Sequence, residues 1–248
     1  MKHVYKFQPI SPLTIDALNN GYLYFPTPSQ LDDPFDCLFA FDFGGSEEDN
    51  LPFRSGAHDI GEGVRVARES IGVLSLSKIN NHILLWSQYS DGHKGICLKF
   101  KTYYHDEKPH FTFEESHFNK DNSSGTYILP IQDVTYETLL PAPIKLGNIG
   151  DFDRFLLTKH EDWSFQKEIR IATDFKHLRG NQKVKYKKEF LEAIIFGMKT
   201  SHEDIILIDD IVKKHFISEG FEIKYYKAQQ IKSEYAIEVK PFSILSND

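Results

Sequence analysis

Cysteine is scarce in this chain: Cys37 and Cys97 are the only two, in separate segments and without CxxC spacing. That excludes a disulfide framework and a structural zinc site, and both thiols are expected in the core. Long hydrophobic runs are missing as well; nothing approaches the roughly 18 apolar residues of a membrane span. The opening MKHVYKFQPI also lacks the apolar stretch of a signal peptide. A cytoplasmic location without a membrane partner is the expectation. Positive charge is in deficit, with 29 Lys and Arg against 36 Asp and Glu and a net charge of −7. Binding to polyanions draws its sequence-independent affinity from clustered cations, so nucleic acid is not indicated as a partner. The one dense basic stretch, Lys183, Lys185, Lys187 and Lys188, reads as the solvated edge of a strand. No GxSxG, GxxxxGK[ST], GxGxxG or HExxH string occurs, which removes the signatures of the common hydrolase, P-loop, Rossmann and zinc-protease mechanisms. His58-Asp59 with Glu62, and His202-Glu203-Asp204, hold ligand types without three that converge, so no metal is expected.

What the chain does hold is material for a packed interior, 40% hydrophobic residues with 20 Phe and 12 Tyr. Its 248 residues sit at the upper end of what one core organises, which predicts one domain over residues 1–248. Val4 to Phe7 reads as a strand, followed by a helix capped by Ser11, opened by Pro12 and ended by Gly21. Further strands are expected at Tyr22 to Phe25, Val73 to Ser77, Gly95 to Phe100, Tyr127 to Tyr136, Phe165 to Ala172, Leu191 to Phe196, Phe221 to Ala228 and Tyr235 to Val239. Helices are expected at Glu62 to Ile71, His82 to Ser90, Phe152 to Lys159 and after Ser201, whose spacing to Asp204 fits a capping box. That last helix carries Ile205, Ile208, Ile211, Val212 and Phe216 along one stripe and stops by Gly220. Residues 44–56 read as an acidic surface loop, and 103–125, polar and poorly patterned, as a long loop or lid. Strands outnumber helices without alternating strictly with them, which argues for an α+β fold with a mixed, mostly antiparallel sheet and flanking helices.

Polar chemistry concentrates in two places. The first is Leu85 through Gly95, a helix-turn-strand junction holding Trp86, Tyr89, His93 and Lys94. Trp86 and Tyr89 stand three apart on the expected helix, so they share one side and could form a stacking wall for a ring; both could equally be core aromatics. Gly92-His93-Lys94-Gly95 has the GxxG form of a loop that clamps nucleic-acid backbone in KH domains, but the flanking helices of that module are missing and a tight turn explains the string better. His93 is placed to carry a proton or meet a phosphate near neutral pH. The second place is Trp163 through Ile171, where period-two geometry sets Gln166, Glu168 and Arg170 about 7 Å apart on one face. A half-exposed strand produces the same pattern.

The stretches Tyr5-Lys6, Leu23-Tyr24-Phe25, Asp32-Asp33-Pro34-Phe35-Asp36, Leu85 to Gly95, Trp163 to Arg170 and Ile195-Phe196-Gly197 resemble, in order, the bacterial family catalogued as domain of unknown function 2971. This chain departs from the family pattern at Asp32, Gln88 and Gln166, where Asn, His and Glu are usual. The resemblance implies an intracellular bacterial or phage-related protein and carries no settled activity. A more distant likeness is chemical: Gln166-Lys167-Glu168 is similar to the [QE]xE element of mono-ADP-ribosyltransferases, and Ser75-Leu76-Ser77 to their serine-bearing strand. That likeness implies NAD as a substrate, Glu168 and Gln166 as catalytic residues, and Trp86, Tyr89, His93, Lys94, Arg170, Ser75, Tyr5 and Lys6 as cofactor-binding ones. Tyr5 and Lys6 stand where transferases keep an arginine or histidine. The alternative expectation is a non-enzymatic module that binds a nucleotide or nucleic acid in phage defence or regulation.

Overall fold

The computed structural model describes residues 2–38, 41–42, 65–66, 68–114, 126–145, 152–178 and 181–244. The expected loop at 44–56 lies outside the described residues, as do 62–64 and 67 of the helix expected at 62–71; residues 65, 66, 68 and 69 are helical, whereas Ile71 already belongs to a strand. Among the described residues, eight strands form the central sheet: β1 (His3–Gln8), β2 (Ile71–Ser77), β3 (Ile96–Lys101), β4 (Gln132–Asp133), β5 (Glu168–Asp174), β6 (Leu191–Phe196), β7 (Lys224–Gln230) and β8 (Ile237–Pro241). Their order across the sheet is β8-β7-β6-β3-β1-β2-β5-β4. Only β6 and β7 run parallel; every other neighbouring pair is antiparallel. The fold is the expected α+β class with a mixed, mostly antiparallel sheet.

Helix α1 (Pro12–Asn20) keeps its expected ends: the Ser11 hydroxyl accepts from the Thr14 amide, and Gly21 adopts the left-handed conformation that closes the last turn. Helix α4 (His202–His215) is capped by Ser201, which accepts from the Asp204 amide at 3.0 Å. Its stripe of Ile205, Ile208, Ile211 and Val212, continued by Phe216, is buried in the main core with Leu18 of α1 and with Leu98, Phe100, Ile169 and Ile171 from one face of the sheet. The opposite face is covered in two separate places. Helix α2 (Ile83–Tyr89) brings Leu85 and Trp86 onto Phe7, Cys97 and Ile195, and helix α3 (Phe152–Leu157) brings Phe155 and Leu156 onto Cys37 and Val73. Both cysteines are buried and unpaired with each other, as scarcity and spacing predict.

Three expectations are corrected. Residues 103–114, read as part of a loop, form a hairpin of Tyr103–His105 and Lys108–Glu114 that pairs with Thr126–Pro130. Phe111 and Phe113, two apart on one side of that hairpin, are fully buried; the polar residues between and around them masked the alternation. Residues 115–125 lie outside the described ones. Tyr127 to Tyr136 is not one strand but three short pieces in three different sheets. Phe165 to Ala172 also fails as a strand at its start: residues Glu161–Gln166 coil into a 3-10 turn, and the strand begins only at Glu168. The basic stretch behaves as an edge should, with Lys183 and Lys185 exposed on either side of buried Val184 and the Lys183 ammonium paired with Asp16.

Pairing along the sheet is uneven. β1 and β3 share six register pairs and β2 and β5 seven, but β1 and β2 meet at the single pair Tyr5–Ser77. Where those two strands part, the Lys6 ammonium donates to the Ser75 carbonyl at 3.0 Å, satisfying an acceptor that a longer ladder would have used.

Candidate functional site

A cavity of ≈ 460 Å³ opens on the second face of the sheet, within the 300–1,000 Å³ that small-molecule sites occupy. Cross-strand partners share a face, so the register aligns Tyr5, Ser77 and Glu168 in one row over β1, β2 and β5, with Ser75 and Arg170 in the next. Tyr5, Lys6, Ser75, Tyr89, Gln166 and Glu168, all expected at a site, line the cavity together. Asp32, Asp33 and Asp36 border it from the loop after β1 and α1, and Lys159 and Trp163 from the segment that precedes β5.

The local chain path explains how Gln166 and Glu168 reach the same hollow. The imidazole of His160 accepts from the Asp162 amide and starts the 3-10 turn, and Lys167, left-handed at φ 44°, ends it. A left-handed lysine costs about 1–2 kcal/mol, and two bonds hold it there: Ser77 Oγ donates to the Gln166 carbonyl at 2.7 Å, and the Lys78 amide donates to the Lys167 carbonyl at 3.0 Å. The kink turns the Gln166 side chain toward α2, where its amide nitrogen donates to the Tyr89 hydroxyl. Glu168 then opens β5, its backbone amide donating to the Tyr136 hydroxyl at 2.7 Å.

Glu168 is 5% exposed and fully engaged in charge pairs. Arg170 Nε donates to one carboxylate oxygen at 2.7 Å and Lys159 Nζ to the other at 3.0 Å. Arg170 itself does not line the cavity; it is completely buried behind the wall, donating also to Asp36 at 2.6 Å, to the Leu156 carbonyl at 2.7 Å and toward Cys37. Burial pushes the Glu168 carboxyl up, but the Arg170 and Lys159 cations prevail and bring its pKa from 4.5 to about 2. Burial likewise opposes the charge on Lys159, and Glu168 and Asp36 overcome it, raising its pKa. On Lys6 the balance goes the other way: loss of water dominates the pull of Glu168 and Asp32, and the ammonium's pKa falls. The Cys37 thiol, buried beside Arg170, is pushed up to about 12 and stays neutral.

Three residues expected at the site stand elsewhere. Trp86 is completely buried, edge-on to Phe7 at 5.0 Å with its indole N–H donating to the Asn80 carbonyl at 2.8 Å, so of the two aromatics in that helix only Tyr89 faces the cavity. Lys94 is an exposed surface lysine 3.7 Å from Asp91. His93 belongs to a tight turn in which Asp91, Gly92 and His93 are all left-handed, at φ 45°, 58° and 72°. Its amide donates to the Trp86 carbonyl and its carbonyl accepts from the Lys199 amide, so its backbone ties α2 to the end of β6. The GxxG string is therefore spent on its own chain. Trp163, Lys159, Asp32, Asp33 and Asp36 line the cavity although none of them is among the residues expected at a site. Trp163 was recognised as part of the polar segment, and only its exchange with Trp86 was hidden. Lys159 follows an apolar helix as a lone lysine, and nothing in its spacing marks it.

No curated protein and no solved structure matches this chain. Tyr89, Lys159, Trp163, Gln166 and Glu168 lie within residues 85–171, the stretch of the chain that matches the family model described as "Protein of unknown function (DUF2971)".

Proposed function

We propose that the cavity is the active site of an ADP-ribosyltransferase-like enzyme that takes NAD as its substrate. The observation that carries the reading is the convergence of Ser75 and Ser77 on β2, Gln166 and Glu168 at the head of β5, and Tyr5 and Lys6 on β1 around one nucleoside-sized hollow. In such a reaction the bond between the ribose and the pyridinium nitrogen breaks, nicotinamide leaves neutral with the bonding pair, and positive charge remains on the ribosyl carbon. An acceptor oxygen or nitrogen then forms the new bond and gives its proton to solvent. A carboxylate fixed beside the ribosyl carbon lowers the barrier by stabilising that charge. Glu168, held ionised down to a pKa of about 2, suits electrostatic stabilisation and not proton donation. Gln166 positions the acceptor, Tyr89 and Trp163 supply ring surface, Tyr5 and Lys6 border the nucleotide from β1, and Arg170 acts as a positioning residue behind Glu168.

The test is nicotinamide release from NAD by the purified protein, with Glu168→Gln beside it. Removing an electrostatic stabiliser of this kind lowers turnover by about 100- to 1,000-fold, whereas Glu168→Gln should keep a hydrogen bond to Arg170 and hence the fold. Undetectable release by the native protein, or equal release by both, ends the reading. A second reading, a module that binds a nucleotide without cleaving it, is favoured by one observation: both Glu168 oxygens already pair with cations. It expects NAD to raise the melting temperature by mass action while nicotinamide stays attached.

A further inference from the structure

Lys159 Nζ lies 3.0 Å from Glu168 Oε2, 3.2 Å from Asp36 Oδ2 and 3.0 Å from Gln166 Oε1. The Trp163 ring centre is 5.1 Å away. Two carboxylates, an amide oxygen and an indole face are the groups that together stabilise a desolvated cation. They stand on the wall of the cavity, and the cation among them is part of the chain itself. Lys159 reaches the cage from the short strand Thr158–His160, outside the central sheet, on a flexible four-carbon stem that can withdraw without moving backbone. The cavity's charge balance points the same way. Asp32, Asp33, Asp36 and Glu168 line it against Lys6 and Lys159, and Arg170 is occupied behind the wall. Such a hollow repels a diphosphate and attracts positive charge.

We propose that the groups around Lys159 form a cation-recognition cage, that Lys159 fills it while the protein is free, and that the N-ribosyl pyridinium end of a nucleotide takes its place, leaving the anionic half of the molecule at the mouth. The identity of that cation rests on the proposed function; the cage does not.

Oxidised and reduced nicotinamide mononucleotide have nearly the same shape and differ in ring charge, positive in the first and absent in the second. Calorimetric titration of the native protein should show the oxidised form binding about tenfold or more tightly. Equal affinity, or preference for the reduced form, overturns the cage. Lys159→Ala supplies a second measurement, because propylammonium replaces the atoms removed. Its melting temperature should rise saturably with propylammonium and respond neither to propanol nor to equal sodium chloride; absence of that rescue in folded protein also overturns the proposal. If the variant does not fold, the titration of native protein decides alone. Nicotinamide release is assayed in parallel. A ring-charge preference without release rejects the enzyme reading and keeps the cage, while release without a preference does the reverse.

Discussion

The turn Ser90 to Gly95 and the turn Glu161 to Lys167 are both polar, both short and both closed by left-handed residues, yet they use their polar groups for opposite ends. In the first, backbone bonds to backbone: the amides of Gly92, His93 and Gly95 return to the carbonyls of Ser87, Trp86 and Ser90, and the His93 and Gly95 carbonyls hold the end of β6 through the amides of Lys199 and Gly197. Its exposed side chains are left over. In the second, the backbone is held by Ser77 of β2 and by Lys78 just after it, and the side chains of Trp163, Gln166 and the following Glu168 face the cavity. Polar density alone therefore does not mark a site. What decides is whether a segment's backbone is satisfied from outside, so that its side chains can point inward together.

The sharpest way to break that contrast is Gly197→Ala. A Cβ there would stand 2.1 Å from the His93 carbonyl oxygen, a backbone atom that cannot yield, so a loss of about 5 kcal/mol or outright failure to fold is expected in chemical denaturation. Glu168→Ala tests the other turn: it leaves Arg170 buried and only partly compensated by Asp36, at a cost of about 3–5 kcal/mol in the same measurement. A loss within 1 kcal/mol would mean that the ion network is looser than its distances imply. Acid sharpens the comparison further. Glu168 is depressed from 4.5 to about 2, so its contribution is complete above pH 4.5 and is lost as pH falls toward 2, amounting to about 3 kcal/mol. Melting curves from pH 5 to pH 2 should show that slope in the native protein and a shallower one in Glu168→Gln. The smallest effect belongs to His93→Gly. Glycine accepts φ 72° without strain, so the substitution should leave ligand binding alone and change stability by about 1 kcal/mol or less, upward if strain dominates. A marked fall in NAD binding or turnover would return His93 to the site.

The fold class and the principal capped helices were legible because their signals are local: Ser11, Pro12 and Gly21 bound α1, and the stripe from Ile205 to Phe216 defines the buried face of α4. Of six expected residues that line the cavity, five stand in the strand or helix expected for them, and Gln166 reaches it from a 3-10 turn instead. The rest was not legible, for identifiable reasons. Trp86 and Tyr89 are three apart, but a helix of seven residues presses one of them into the core and turns the other to the cavity; spacing cannot say which. Arg170 shares a face with Glu168, as alternation predicts, but that face is covered by α3 at its position, so it supports the wall from behind. The start of β5 was misplaced because Lys167 adopts a conformation that no lysine advertises. Lys159 and the aspartates of 32–36 meet Glu168 only through long-range folding.

The single register pair between β1 and β2 divides the sheet into a group of five strands and a group of three, joined along a thin seam that Lys6 bridges with its ammonium. The cavity floor crosses that seam, with Tyr5 and Lys6 on one bank and Ser75, Ser77 and Glu168 on the other. Any molecule resting there touches both banks at once and fastens them, so occupancy of the hollow and cohesion of the whole sheet are coupled by geometry.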